Sequence, residues 1–279
     1  MSSKYPHNSP FAFSENKVIA WGELEGLECY YAVDGTFLGQ IGENSQVRVV
    51  KDKYIQKVSE MIGYANASLA SPSDMARNAN SLSKSLGVTN NQLIAFASVI
   101  HAESGGSKEE SYAIGNVTMN FIKEGGSKEL KNLDDVTMYD NTFAQGSTQE
   151  NYTSFKGLNS KQKNSKLAIG AAINALGNFS DIKNFGFKDF SGGADSWDGI
   201  DLLDTDWTNS HRSYTWDSDS KKLLLEYKKK VNGGVDISKW NYISKKFDIK
   251  AIKIIGKTLF TNLQGGRGEK KQGDKTSFK

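Results

Sequence analysis

The chain has 279 residues, 37% of them hydrophobic and 24% charged, which is a globular composition long enough for one large domain or two moderate ones. Net charge is +3, and residues 264–279 alone carry five basic and two acidic side chains, so the body is near neutral and lacks the basic surplus of a nucleic-acid partner. Cys29 stands alone, which excludes an internal disulfide and any multi-cysteine zinc site. No apolar run approaches the ~20 residues of a membrane span. The opening MSSKYPHNSP has no apolar signal-peptide core, so action outside the producing cell requires a dedicated secretion system.

Residues 1–50 predict short strands separated by turns, with Asp34-Gly35 as one turn. Residues 51–88 predict a polar connector with one or two weakly amphipathic helices, since ANASLASPSDMARNANSLSKSLG is rich in Ser, Ala and Asn. Thr89 and Gln92 fit a capping box ahead of Leu93, Ile94, Phe96, Ala97 and Ile100, which predicts a buried helix from Asn90 to Glu103. The glycines after Ser104 stop it. Ser107 and Glu110 fit a second capping box, and YAIGNVTMNFI predicts a second buried helix from Lys108 to Lys123. KLAIGAAINALG, residues 166–177, predicts a third helix whose small residues permit close packing. FDIKAIKIIGKTLF alternates apolar and basic residues, which suits a half-exposed strand. Residues 264–279 are expected to be a disordered tail. The expected fold class is α+β, mainly helical, with the main domain over residues 89–263.

Glu103 ends an apolar helix beside a glycine corner, in the stretch ASVIHAESGGS. An unpaired carboxylate is costly to bury, so this position is either a solvated helix end or a proton donor held in a cleft. Burial disfavours the charged form, and the negative end of the helix dipole pushes the pKa the same way. Both suit an acid that must keep its proton until it donates it. Glu110 has the ordinary alternative role of a first-turn cap, and Asn120 that of a packed polar group in a helix. Residues 185–216 interleave Phe185, Phe187, Phe190, Trp197, Trp207, Tyr214 and Trp216 with Asp195, Asp198, Asp201 and Asp206. Such a mixture suits a glycan groove, with Trp197 and Asp198 at its centre, or else an aromatic core. No metal or other cofactor is expected. His101-x-Glu103 matches half of the zinc-deaminase signature, but no P-C-x-x-C follows it.

Two stretches resemble known families. YPHNSPFAFSENKVIAWGELEGLE, residues 5–28, resembles the closing segment of the Rhs/YD-repeat core, through Asn8, Ser9, Pro10, Ala12, Phe13, Glu15, Asn16, Glu25, Gly26 and Leu27. That resemblance makes residues 1–50 the junction between a repeat shell and a C-terminal toxin. LIAFASVIHAESGGSKEESYAIGNVTMNFI resembles the opening of the SleB-like cell wall hydrolases, whose core is lysozyme-like. NTFAQ and DFSGGADSWDGIDL resemble later segments of the same family, so the likeness spans residues 90–215. The resemblance implies Glu103 as the catalytic acid. It implies Ser104, Glu110, Asn120, Phe143, Trp197 and Asp198 as substrate contacts. The implied activity is that of a muramidase or lytic transglycosylase acting on peptidoglycan in a target cell's envelope. The implied partners are an immunity protein and the parent Rhs shell or its secretion machinery. The competing expectations are a nuclease toxin on the same junction and a non-enzymatic glycan-binding module. An amidase would need a Cys/His pair or a zinc site, and neither is well placed.

Overall fold

A computed structural model of the protein describes residues 27–42, 45–104, 106–124, 132–134, 163–199, 214–216, 218–231 and 247–264. Among these the architecture is α+β, with six α-helices that hold about half of the residues and two four-stranded sheets. The chain divides into two compact units, Met1–Ala32 with Phe37–Asn90, and Val33–Thr36 with Asn91–Lys279. Of the junction segment 5–28, only Leu27 and Glu28 fall within the described residues, and the tail after Gln264 lies outside them.

The first unit is a sheet with two helices. Strands β1 (Glu28–Ala32), β2 (Phe37–Ile41), β3 (Gln46–Val50) and β4 (Ser83–Thr89) take the order β2-β1-β3-β4. β1 runs antiparallel to β2 and parallel to β3, and β4 runs antiparallel to β3. Between β3 and β4 come a single 3-10 turn (Asp52–Tyr54), α1 (Ile55–Asn66) and α2 (Pro72–Ser81). α2 starts as its sequence dictates: Pro72 sits in the first turn and the Ser71 hydroxyl accepts from the Asp74 amide. Val58, Ile62 and Ala65 of α1 and Ala76 and Ala79 of α2 pack with Tyr30, Ile41 and Val50 of the sheet. Full burial of a Val or Ile side chain of this kind contributes about 1.5–3 kcal/mol.

Residues 83–89 correct the expectation of helical texture throughout 51–88. They form strand β4, because pairing with β3 places Ser83 and Leu86 in the interior and outweighs local preference. A buried polar knot helps to fix that pairing. Glu28 is buried, its carboxylate lies 3.6 Å from Arg48, and it accepts from Asn80 Nδ2 at 3.0 and 2.9 Å. Tyr30 Oη lies 3.0 Å from Glu28 Oε2 and 2.7 Å from Asn80 Oδ1. Arg48 Nε in turn donates to the Ser83 hydroxyl at 2.9 Å.

The second unit contains α3 (Asn90–Glu103), α4 (Lys108–Lys123), α5 (Lys163–Phe179) and α6 (Ser218–Val231). Its strands are β5 (Ser196–Asp198), β6 (Tyr214–Trp216), β7 (Phe247–Ile255) and β8 (Thr258–Gln264), in the order β5-β8-β7-β6. Residues 247–260, expected as one strand, make a hairpin instead. Gly256 takes φ +60° at its turn, and the basic–apolar alternation continues only along β7. α6 packs on β7, where the Ser220 hydroxyl accepts from the Ala251 amide at 2.8 Å.

α3 is apolar nearly all round, and its Leu93, Phe96, Ala97, Val99 and Ile100 are all buried. α4 and α5 lie along one another through small residues. A Cβ on Gly115 would stand 3.1 Å from Ile100 Cδ1 and 3.2 Å from the Ala171 carbonyl, so three helices meet there. The turn Val33–Thr36 belongs to this unit and lies against α5. Asp34 pairs with Lys166 at 2.6 Å, and the backbones come so close that a Cβ on Gly170 would stand 2.7 Å from the Asp34 carbonyl.

Candidate functional site

The corner between α3 and α4 is where an acid meets an open backbone. α3 runs to Glu103, and the Ser104 amide still bonds to the Ile100 carbonyl at 3.0 Å. Gly106 then turns the chain at φ +85°, with nothing near the place a Cβ would occupy. Ser107 caps α4, its hydroxyl accepting from the Glu110 amide at 3.3 Å. Glu109 and Glu110 fall in the first turn, where acids suit the positive end of the helix dipole. Glu103 itself is half-buried, at the negative end of α3.

The corner is stitched from within. The Ser111 hydroxyl lies 3.1 Å from Ser104 Oγ and 2.9 Å from the Ser107 carbonyl. Glu110 is buried, and its Oε1 accepts from the Thr258 hydroxyl at 2.5 Å. Glu103, Ser104 and Glu110 therefore share one corner.

Asn120 lies elsewhere. Twelve residues of helix separate it from Lys108, or about 18 Å at 1.5 Å per residue. Its amide nitrogen lies 3.1 Å from Asp189 Oδ2, 3.2 Å from Ser191 Oγ and 2.9 Å from the Ala194 carbonyl. Asp189 accepts from the Ser191 amide and hydroxyl and from the Gly193 amide at 2.7, 2.6 and 2.9 Å. Asn262 Nδ2 donates to the Gly193 carbonyl at 3.2 Å, so the loop 189–194 is fixed from both α4 and β8. Trp197 follows on β5, half-buried and paired opposite Phe260. Asp198 is described only in its backbone, which pairs with Leu259, and Phe143 lies outside the described residues.

Three of the aromatics between 185 and 190 have partners inside the protein. Phe185 and Phe187 stack at 5.6 Å, Phe187 covers Gly177, and Phe190 meets Tyr112 edge to face at 5.0 Å. Two residues escaped the sequence reading. Asn116 and Asn174 are both buried, and Asn116 Oδ1 accepts from Asn174 Nδ2 at 3.2 Å and from the Phe190 amide at 3.0 Å. Asn174 also bonds both the amide and the carbonyl of Lys188, at 3.2 and 2.9 Å. The available signal was an asparagine on the apolar face of each helix, in AIGNVTM and AAINALG.

Among the described residues no three His, Cys, Asp or Glu side chains gather as metal ligands, and no helix is long and apolar enough to cross a membrane. The corner offers a half-buried carboxyl, hydroxyls at Ser104 and Ser107, and an unobstructed backbone at Gly106. Those groups suit proton donation to a polyhydroxylated substrate. Comparison with family profiles, with characterised proteins and with solved structures finds no match to this chain.

Proposed function

We propose that the second unit is a glycan-cleaving cell wall hydrolase with Glu103 as general acid. The observation that carries this reading is the placement of Glu103. A helix whose Leu93, Phe96, Ala97, Val99 and Ile100 are all buried ends in this half-buried carboxyl, and the next turn is left open at Gly106. The Glu103 carboxyl would protonate the leaving glycosidic oxygen as the bond to the anomeric carbon breaks. In a muramidase water then attacks that carbon, whereas in a lytic transglycosylase the sugar's own hydroxyl closes a ring. Trp197 and the loop 189–194 stand at the far end of α4 and would hold the chain beyond the cleaved bond.

The lysozyme-like fold belongs to this proposal, as does the delivery of the module as the C-terminal toxin of an Rhs-type protein. Such a toxin would act in a competitor's periplasm, and its producer would carry an immunity protein. The test is digestion of purified sacculi by wild type and by Glu103→Gln, with the soluble products separated by mass. The glutamine keeps shape and loses the proton, so release should fall by about 10²–10⁴-fold. Anhydro-muropeptides indicate a transglycosylase, and reducing-end products a muramidase. Sacculi that bind wild type yet release nothing would leave a glycan-binding module, and would end the enzymatic reading.

A further inference from the structure

We infer that the Glu110–Thr258 pair is a brace that positions Glu103, an inference that rests on reading Glu103 as the general acid. The starting point is a carboxylate where carboxylates are rare. Glu110 is 5% exposed on the first turn of α4. Burying a carboxyl group is costly unless it is hydrogen-bonded, and the Thr258 hydroxyl donates to it at 2.5 Å.

Thr258 is the first residue of β8, directly after the turn of the β7–β8 hairpin. That turn is held on two sides. Gly256 lies against Glu110, where an added Cβ would stand 3.2 Å from Oε2. Lys257 offers its carbonyl to the Tyr227 hydroxyl of α6 at 2.5 Å. A sheet and a helix distant in sequence thus anchor the first turn of α4.

From there the constraint passes along short bonds to the acid. The Glu110 amide is fixed by Ser107 Oγ, and the next residue, Ser111, reaches back to Ser104 and to the Ser107 carbonyl. Ser104 is the immediate neighbour of Glu103. Gly106 stands in open space and its backbone is free of a Cβ's restriction, so without the brace Glu103 would sample positions away from the bond it must protonate. Glu110 is a positioning residue in this scheme, acting through Thr258 and the serines. A misplacement of about 1 Å can cost about 10²-fold in rate, so a partial loosening should cost about tenfold.

The test compares wild type with Thr258→Val and Thr258→Ser on soluble peptidoglycan fragments, alongside amide hydrogen exchange across residues 104–111. Thr258→Val should lower kcat about tenfold with KM within about twofold, and should speed exchange at the corner. Thr258→Ser should rescue both readouts, because it keeps the hydroxyl that donates to Glu110. If wild type is active and Thr258→Val matches it in kcat, the brace is refuted while the acid reading stands. Loss in Thr258→Ser equal to that in Thr258→Val also refutes it, since serine keeps the hydroxyl that valine lacks. An inactive wild type would instead bring down the acid reading, and the positioning role with it.

Discussion

Gly170→Ala should destabilise the protein, although alanine is the better helix former. In a free helix the change gains about 0.5–1 kcal/mol. At this position the new methyl would stand 2.7 Å from the Asp34 carbonyl oxygen, 2.8 Å from its carbon and 3.0 Å from Tyr112 Oη. Comfortable separations begin near 3.5 Å, so turn and helix must part by roughly 0.8 Å. Two of these neighbours are backbone, and the turn cannot yield cheaply: Asp34 also accepts from the Thr36 amide at 2.9 Å and pairs with Lys166 at 2.6 Å. Overpacking of this kind costs about 1–3 kcal/mol, and the strained ion pair adds about 0.2–1 kcal/mol. The net effect is a loss of about 1–3 kcal/mol, or roughly 2–10 °C in Tm for a chain of this size. Gly63→Ala is the internal control, since Gly63 lies within α1 with nothing inside 4 Å of an added Cβ. It should stabilise by about 0.5–1 kcal/mol. Thermal and urea melts followed by circular dichroism decide the matter. If Gly170→Ala melts at or above wild type while Gly63→Ala behaves as stated, the close approach of turn and helix is wrong.

Glu28→Ala should cost about 3–5 kcal/mol, because it leaves the Arg48 guanidinium in a buried knot without its carboxylate, and Glu28→Gln should cost less; urea titration separates them. Burial alone would raise the Asp34 carboxyl, but the Lys166 ammonium and the Thr36 hydroxyl and amide hold it below its ordinary 3.8. Its folded value is depressed, so its contribution is present above 3.8 and is lost as pH falls through the lower folded value. Asp34→Asn should therefore cost about 0.2–1 kcal/mol at pH 7 for this largely exposed pair, and melts at pH 7 and at successively lower pH should show the gap closing. Burial pushes the Cys29 thiol up to about 12, so an aromatic disulfide reagent at pH 8 should label it only after denaturation. Fast labelling of the native protein would contradict its placement inside β1.

The bounds of α3 and α4 were readable because local chemistry sets them. Apolar residues recur at helical spacing, the glycine corner interrupts them, and Ser107 supplies a cap that the structure uses. The asparagines of the interior were not readable in the same way. Asn116 and Asn174 look like ordinary polar interruptions until Phe190 and Lys188 arrive to bond them. Residues 83–89 misled for a related reason: serine and lysine carry little preference, and β3 decided their conformation. The same holds for the hairpin of β7 and β8, where a glycine inside an alternating run marks a turn only once the two arms pair.

By itself the sequence determined the α+β class, the two buried helices and the acid at their corner. These follow from periodicity, capping and composition, which act over a few residues at a time. The tertiary structure alone decided which side chains share that corner. At the corner Glu110 meets Thr258, 148 positions later in the chain, and at the far end of α4 Asn120 meets Ala194, 74 positions later. Such pairs carry no local signal, because a hydrogen bond formed across the fold depends on how whole helices and strands pack, and that packing is set by the chain as a whole.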